Sequence, residues 1–417
     1  MNTSLAPYAL FASMLAMAGL PIYIHAPKFY VDEFGVSLAA LGTVLFVLRL
    51  IDVIQDPALG WLSRRLSQHR SSAVTVAVAI MALAMVGLFG MAPPISPIAW
   101  FAITLALLFS AFSFLTISFY AEGVSKAKRL EGDGHVRLAG WRETGSLLGV
   151  SIAAVAPVVL LSVTDRPFLA FAAGFMALCV LAATSMRREW KGAEPDTTVG
   201  IKPILSDPMA RRLLLIALLN ATPVAVTSTL FLFFVESRLE APGWEGPLLL
   251  LFFLAAACAA PLWSRVAQQY GAKPTLLFAM ILAIATFSWA AMLGAGDILA
   301  FIVICIFSGA ALGADMTLLP ALFASRMSDI APEAAEGFGL WSFVSKFSLA
   351  FAAIVLLPLL DAAGFTAGAT NQPEEALKAL TLSYAVLPCG LKIAALLLLL
   401  ATPIEAPGGT ALNRGLQ

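Results

Sequence analysis

Phe46-Val47-Leu48-Arg49-Leu50-Ile51-Asp52-Val53-Ile54-Gln55-Asp56-Pro57-Ala58-Leu59-Gly60-Trp61 decides how the rest of the chain is read. It is an apolar run broken by one arginine and two aspartates. At 3.6 residues per turn, positions 49, 52 and 56 fall on one stripe of a helix. A charged side chain at the centre of a bilayer helix costs about 2.5–3.5 kcal/mol on insertion scales, so these three are expected to face protein or water. A closed structural ion-pair network is one reading. Two acids against one local arginine, however, leave a carboxylate that still needs a cation, which favours an ion or proton site.

Composition places the run in context. The chain has 417 residues, 60% hydrophobic and 12% charged, whereas soluble domains carry about 25% charge. It reads as an all-α integral membrane protein whose surroundings are the lipid bilayer. A net charge of zero argues against a nucleic-acid partner. Cys179, Cys258, Cys305 and Cys389 lie in apolar runs without metal-like spacing and read as small core hydrophobes. His25, His69 and His135 are too scattered for a ligand set. The opening Met1-Asn2-Thr3-Ser4-Leu5-Ala6-Pro7 has no basic region ahead of its apolar stretch, so a cleaved signal peptide is not expected.

A span needs about 20 mainly apolar residues. Such runs cover approximately 8–31, 37–61, 72–92, 97–120, 138–163 and 167–186, then 212–235, 246–264, 274–294, 298–322, 338–360 and 379–402. About twelve transmembrane helices are therefore expected. The longest charge-rich connection, from Arg187 to Arg212, divides them into six and six: a bundle over 1–190, a cytoplasmic linker over 191–211 and a bundle over 212–417. Trp61-Leu62-Ser63-Arg64 with Gln68 is echoed by Trp263-Ser264-Arg265 with Gln268, the weak internal symmetry of a pseudo-symmetric pair of bundles. Arg64, Arg65, Arg70, Lys126, Lys128, Arg129, Arg137, Arg187, Arg188, Lys191, Lys202, Arg211, Arg212, Arg265, Lys273, Arg326 and Arg414 lie on one side of these spans, against Lys28, Arg166, Arg238 and Lys378 on the other. The excess of positive charge marks the inside. A multi-pass protein of the inner (plasma) membrane with both termini cytoplasmic follows, and a monomer is expected.

Arg49, Arg142, Lys346, Lys392, Asp52, Asp56, Glu143 and Asp315 fall within spans, and their charges cancel. Left facing lipid, eight such charges would cost roughly 20–28 kcal/mol, so mutual pairing or a hydrated interior is required. Lys346, about midway along the eleventh span, is placed to balance the second span's excess carboxylate. Lys392 reads instead as snorkelling to an interface. Arg142 and Glu143 are adjacent and do not face each other on a helix, so each is expected to find its partner elsewhere. Arg142 offers a planar fork of donors for carboxylates or vicinal hydroxyls, and Trp141 or Tyr120 an aromatic face for a sugar ring. Asp315 is a site candidate as an intramembrane acid. Gly309 and Gly313 read as close helix contacts. No phosphate-binding loop, nucleophile elbow or HExxH motif is present in the chain, which argues against an ATP-driven pump and against an enzyme.

Three of these stretches carry a family resemblance. Leu48-Arg49-Leu50-Ile51-Asp52-Val53-Ile54-Gln55-Asp56-Pro57-Ala58-Leu59-Gly60-Trp61 resembles the second-helix signature of the glycoside-pentoside-hexuronide cation symporters, the melibiose-permease-like branch of the major facilitator superfamily. Arg137-Leu138-Ala139-Gly140-Trp141-Arg142 is similar to that family's fifth-helix arginine motif. Val344-Ser345-Lys346-Phe347, with Gly337-Phe338-Gly339-Leu340-Trp341 upstream, is similar to its eleventh-helix lysine motif. The resemblance implies the major facilitator fold and alternating access. By it, Asp52 and Asp56 would coordinate the coupling cation, Lys346 would couple or substitute for it, and Arg142 would reach the substrate. With the candidates read from the residues themselves, the expected cation site is Asp52, Asp56, Gln55, Lys346 and Arg49, and the expected substrate site Arg142, Trp141, Tyr120 and Asp315. No cofactor is implied; the coupling ion is sodium or a proton, and the only metal considered is sodium at Asp52 and Asp56. The chain departs from the sugar-transporting members in lacking an acid around Ala16–Leu20 and around Thr116–Ser118, and Gln55 stands where asparagine is common.

The expected activity is thus cation-coupled symport of a small organic solute, with a sugar or glycoside first in line. A carrier of an amphipathic, lipid-like solute and a non-transporting membrane sensor are the alternatives.

Overall fold

The computed structural model describes residues 5–130, 133–190, 201–330, 335–365 and 372–404. Residues 191–200 of the expected linker, with Lys191 among them, and Arg414 lie outside the described residues. Among those described there are helices and no strand. In chain order they are α1 (Ala6–Met17), α2 (Leu20–Phe34), α3 (Leu38–Arg65), α4 (Arg70–Phe89), α5 (Pro97–Ala127), α6 (Gly134–Leu160), α7 (Pro167–Met186), α8 (Ile201–Ser206), α9 (Pro208–Phe233), α10 (Glu245–Tyr270), α11 (Ala272–Phe287), α12 (Ile298–Ile330), α13 (Ala335–Ala362), α14 (Glu374–Thr381) and α15 (Leu387–Leu400). With α1 and α2 taken together, α14 and α15 taken together, and the short α8 set aside, they occupy the twelve stretches read as spans. Eight, by length and composition, are able to cross a membrane. The protein is an all-helical integral membrane protein.

Local chemistry sets the helix ends. Ser37 caps α3, its hydroxyl accepting from the Ala40 N–H at 3.3 Å, and Asp207 caps α9, accepting from the Ala210 N–H at 2.7 Å. Each satisfies one of the first-turn donors that have no intrahelical partner. Proline stands in the first turn of α1, α2, α7, α9 and α15, where its missing N–H costs nothing. The first expected span is not continuous: the chain breaks at Ala18-Gly19, and Pro21 restarts it as α2. Pro57 lies inside α3 directly after Asp56 and frees the carbonyl one turn back. Two helices end in single π-helical turns, Phe234–Arg238 after α9 and Leu382–Val386 between α14 and α15.

Packing sorts these helices into two compact units. The first holds residues 1–125, 141–204 and 327–350; the second holds 126–140, 205–326 and 351–417. In lipid, helices associate through close packing rather than expulsion of water, and small residues permit it. Each unit shows this. In the first, a Cβ on Gly145 would sit 2.0 Å from the Ala9 carbonyl oxygen, and one on Gly149 would sit 2.4 Å from that of Ser13, so α6 and α1 touch backbone to backbone. In the second, a Cβ on Gly309 would lie 2.4 Å from the Phe252 oxygen and one on Gly313 2.6 Å from that of Ala256, bringing α12 against α10. The spacing is Gly-x-x-x-Gly in both cases. Aromatic side chains fill the remaining space, with Phe234 and Tyr384 stacked at 4.1 Å in the second unit.

Candidate functional site

α3 turns Asp52 and Asp56 into the first unit, where they are 4% and 0% exposed. The early part of α13, through residue 350, belongs to the same unit, and it delivers Lys346 to both carboxylates. The ammonium lies 2.8 Å from Asp52 Oδ2 and 3.0 Å from Asp56 Oδ1. It also donates to the Ser113 hydroxyl at 2.6 Å.

Further groups complete the shell. Gln55 donates from Nε2 to Asp52 Oδ1 at 2.8 Å and accepts from the Ser110 hydroxyl at 3.0 Å. Ser113 donates to Asp52 Oδ1 at 3.1 Å, and Ser342 donates to Asp56 Oδ2. Arg49 is half-buried one turn before Asp52. α13 approaches α3 closely because two glycines meet: a Cβ on Gly60 would be 3.4 Å from the Gly339 Cα, and one on Gly339 would be 3.0 Å from the Asp56 carbonyl oxygen. One turn further along α3, Arg64 Nε donates to Glu336 Oε1 at 2.8 Å.

Two buried carboxylates therefore share one ammonium. In a medium of low dielectric that arrangement is stable only with abundant hydrogen bonds, and it is relieved when a proton or a small cation joins it. The hydroxyls of Ser110, Ser113 and Ser342 were not singled out by the sequence reading. Their signal is spacing: Ser110 and Ser113 are three apart in an apolar stretch of α5, and Ser342 stands one turn before Lys346.

The second cluster of the first unit is built on α5 and α6. The Arg142 guanidinium lies over the Tyr120 ring, 3.7 Å from its centre, and the Tyr120 hydroxyl donates to Glu143 Oε1 at 3.1 Å. Phe338 packs on the same ring at 5.0 Å. Contrary to the expectation that Arg142 and Glu143 would find separate partners, Arg142 Nε donates to Glu143 Oε1 at 2.7 Å. The rule against neighbours concerns Cβ directions, and both of these long side chains bend toward Tyr120. Arg142 Nη2 is buried and has no hydrogen-bond partner, so the fork keeps one donor for a further oxygen. Trp141, on the next position around the helix, is 49% exposed. A third buried ion pair, Arg70 with Glu122 at 2.9 Å, links α4 to α5.

Asp315 belongs to the second unit, and its partner is Lys392. The Lys392 ammonium donates to Asp315 Oδ2 and, at 2.6 Å, to Asn220 Oδ1. Lys392 is buried, so the expected snorkelling is not found: α9, α12 and α15 place an acid and an amide within its reach. A lysine so paired has no reason to extend to an interface.

Among family models, the one described as MFS/sugar transport protein matches residues 7–406. The protein is accordingly a membrane transporter of the major facilitator superfamily and not an enzyme. The chain belongs to the MFS/sugar transport protein family. No curated protein matches it by sequence. Solved structures match the fold at low identity. A bacterial homologue of the iron transporter ferroportin in its outward-facing state, with soaked iron, has a TM-score of 0.69 at 14% identity, with 97% of this chain and 100% of that one covered. A variant of the E. coli fucose:proton symporter has a TM-score of 0.69 at 15% identity, with 96% and 99% covered. These likenesses establish the major facilitator fold.

Proposed function

We propose that this transporter couples the movement of a small organic solute to a cation, sodium or a proton, and that the coupling site is Asp52, Asp56, Gln55 and Lys346, with Arg49 beside it. The observation that carries the reading is the placement of Lys346 between two almost fully buried carboxylates. A cation arriving at Asp52 and Asp56 competes with the ammonium for the same oxygens, and a proton on either acid releases it. Either event frees a charged side chain of α13, which is a direct physical route from ion binding to helix movement.

The solute is proposed to bind at Arg142, Tyr120 and Trp141. The unused Nη2 donor of Arg142, held by the Tyr120 ring beneath it, and the exposed Trp141 ring suit a hydroxyl-rich ring. A sugar or glycoside is the first class to test, in keeping with the family's description and with the fucose:proton symporter among the similar folds. The finer placement, in the melibiose-permease-like branch, rests on the three motifs around Asp52, Arg142 and Lys346. No resident cofactor is part of the proposal.

Reconstitution into vesicles under an imposed sodium gradient, proton gradient or neither, across a panel of sugars, tests it. One cation moving down about 100 mV supplies roughly 2.3 kcal/mol, enough for about fifty-fold accumulation of a neutral solute. Asp52→Asn and Asp56→Asn are expected to lose accumulation and keep solute exchange. Gradient-driven accumulation equal to wild type in both variants would refute the coupling site.

A further inference from the structure

Asp315 and Lys392, the latter also bonded to Asn220, line a partly open cavity of about 80 Å³ in the second unit. Its other walls are apolar except for Thr227 and Ser308, with Phe252, Ile284, Phe287 and Leu312 prominent. Asp315 Oδ2 is taken by Lys392, but Oδ1 is buried and has no hydrogen-bond partner. Asp315 as a whole is 6% exposed. Two of the three Lys392 donors are used, on Asp315 and Asn220, and one remains. The hydroxyls that line the same cavity cannot supply the missing donor. Ser308 gives its proton to the Ile304 carbonyl at 2.6 Å and Thr227 to that of Val224 at 3.1 Å, each within its own helix.

We infer that this cavity is a binding site for a neutral amphiphile whose head is a hydroxyl. Such a head donates to Asp315 Oδ1 and accepts from the free Lys392 N–H, so it satisfies both orphan groups without disturbing the ion pair. Pockets of this make-up, apolar walls with a few converging polar atoms, are those that take small molecules. The charge balance selects the class. Asp315 and Lys392 cancel, so the site has no net attraction for a cation, in contrast to the two carboxylates around Lys346. A zwitterion would have to break the pair to use it. An apolar body then runs along the Phe252 and Phe287 walls. The site goes beyond the coupling reading and does not depend on it.

The full-length protein in phosphatidylcholine nanodiscs is photolabelled with a diazirine-bearing octanol, and the labelled peptides are mapped by mass spectrometry. Label is expected on the segments around Phe252, Phe287 and Cys389, competed by excess octanol and not by octane. Ala283→Phe, which fills the cavity and leaves the polar group intact, is expected to lower the label at least fivefold with an unchanged melting temperature. Asp315→Asn, which turns the free acceptor into a donor, is expected to weaken octanol competition about tenfold. Asp56→Asn is expected to label as wild type. Octanol and a monoacylglycerol doped into the bilayer, added separately as competitors, distinguish a dissolved source of the hydroxyl from a membrane-borne one. Label absent from these segments, spread evenly over the helices, equally competed by octane, or unchanged in Ala283→Phe would overturn the site. If Asp315→Asn does not fold, Ala283→Phe decides alone.

Discussion

Lys392 is buried and Lys346 mostly so, and both face acids, yet their surroundings set them opposite consequences. Removing one partner of a buried ion pair costs about 3–5 kcal/mol, because the other charge is left uncompensated. Lys392→Met is expected to lower stability by that amount, and Asp315→Leu combined with Lys392→Met to recover most of it, as read by thermal unfolding in detergent. At the first site the wild-type balance is two carboxylates to one ammonium, so Lys346→Met leaves two unpaired acids and Asp56→Asn with Lys346→Met restores the original excess of one. The double variant should melt closer to wild type than Lys346→Met alone while remaining uncoupled. At Asp207, outside the spans, hydrogen bonds from Arg326, including one of 3.0 Å from Nε, hold the carboxyl below the usual range. A depressed folded-state pKa means the contribution is present above about 3.9, the ordinary aspartate value, and disappears as pH falls through the lower folded value. Thermal unfolding scanned from pH 6 downward should therefore show the difference between wild type and Asp207→Ala vanishing only at the acid end. What could be read in the sequence follows the same physics. Asp52, Asp56 and Lys346 stand out because the bilayer makes each charge conspicuous and α3 spaces two of them by four residues. The Asp315–Lys392 pair spans 77 positions and the Lys392–Asn220 contact 172, and nothing local marks either.

The helices are held by glycine rather than by bulk. Gly145 and Gly149 of α6 and Gly309 and Gly313 of α12 each admit a neighbouring backbone where a methyl group would overlap it. Gly145→Val and Gly313→Val are expected to cost at least the 1–3 kcal/mol typical of overpacking. Gly246→Ala, where an added Cβ would meet open space, should melt as wild type; equal melting of all three would show that these contacts do not bear on stability. The Gly309–Gly313 contact is legible from spacing alone. The interruption between α1 and α2 is not, since apolar content continues through Ala18 and only the Gly19-x-Pro21 order marks it.

At the scale of the molecule, the twelve stretches are legible because a bilayer demands length and apolarity together, whereas α8, only six residues long, and the start of α14, with Glu374, Glu375 and Lys378, carry no such signal. The expected orientation rests on the crowding of Arg64, Arg65, Arg70, Lys126 and Arg129 near one set of helix ends. We propose that this face is cytoplasmic. A reporter enzyme active only in the cytoplasm, fused after residue 404, is expected to be active, and one fused between α2 and α3, near Gly35, to be silent; the reverse pattern would invert the topology.

α12 runs for 33 residues and α5 for 31, which at about 1.5 Å per residue makes rods of roughly 50 and 46 Å. The hydrocarbon slab is about 30 Å thick. The surplus has to be taken up by tilt or by projection past the headgroups, and each ångström of mismatch carries a fraction of a kcal/mol. Acyl-chain length in the host membrane is thus expected to shift the thermal unfolding of this protein, independently of any solute or ion it carries, and equal melting in bilayers of different thickness would show that projection alone absorbs the surplus.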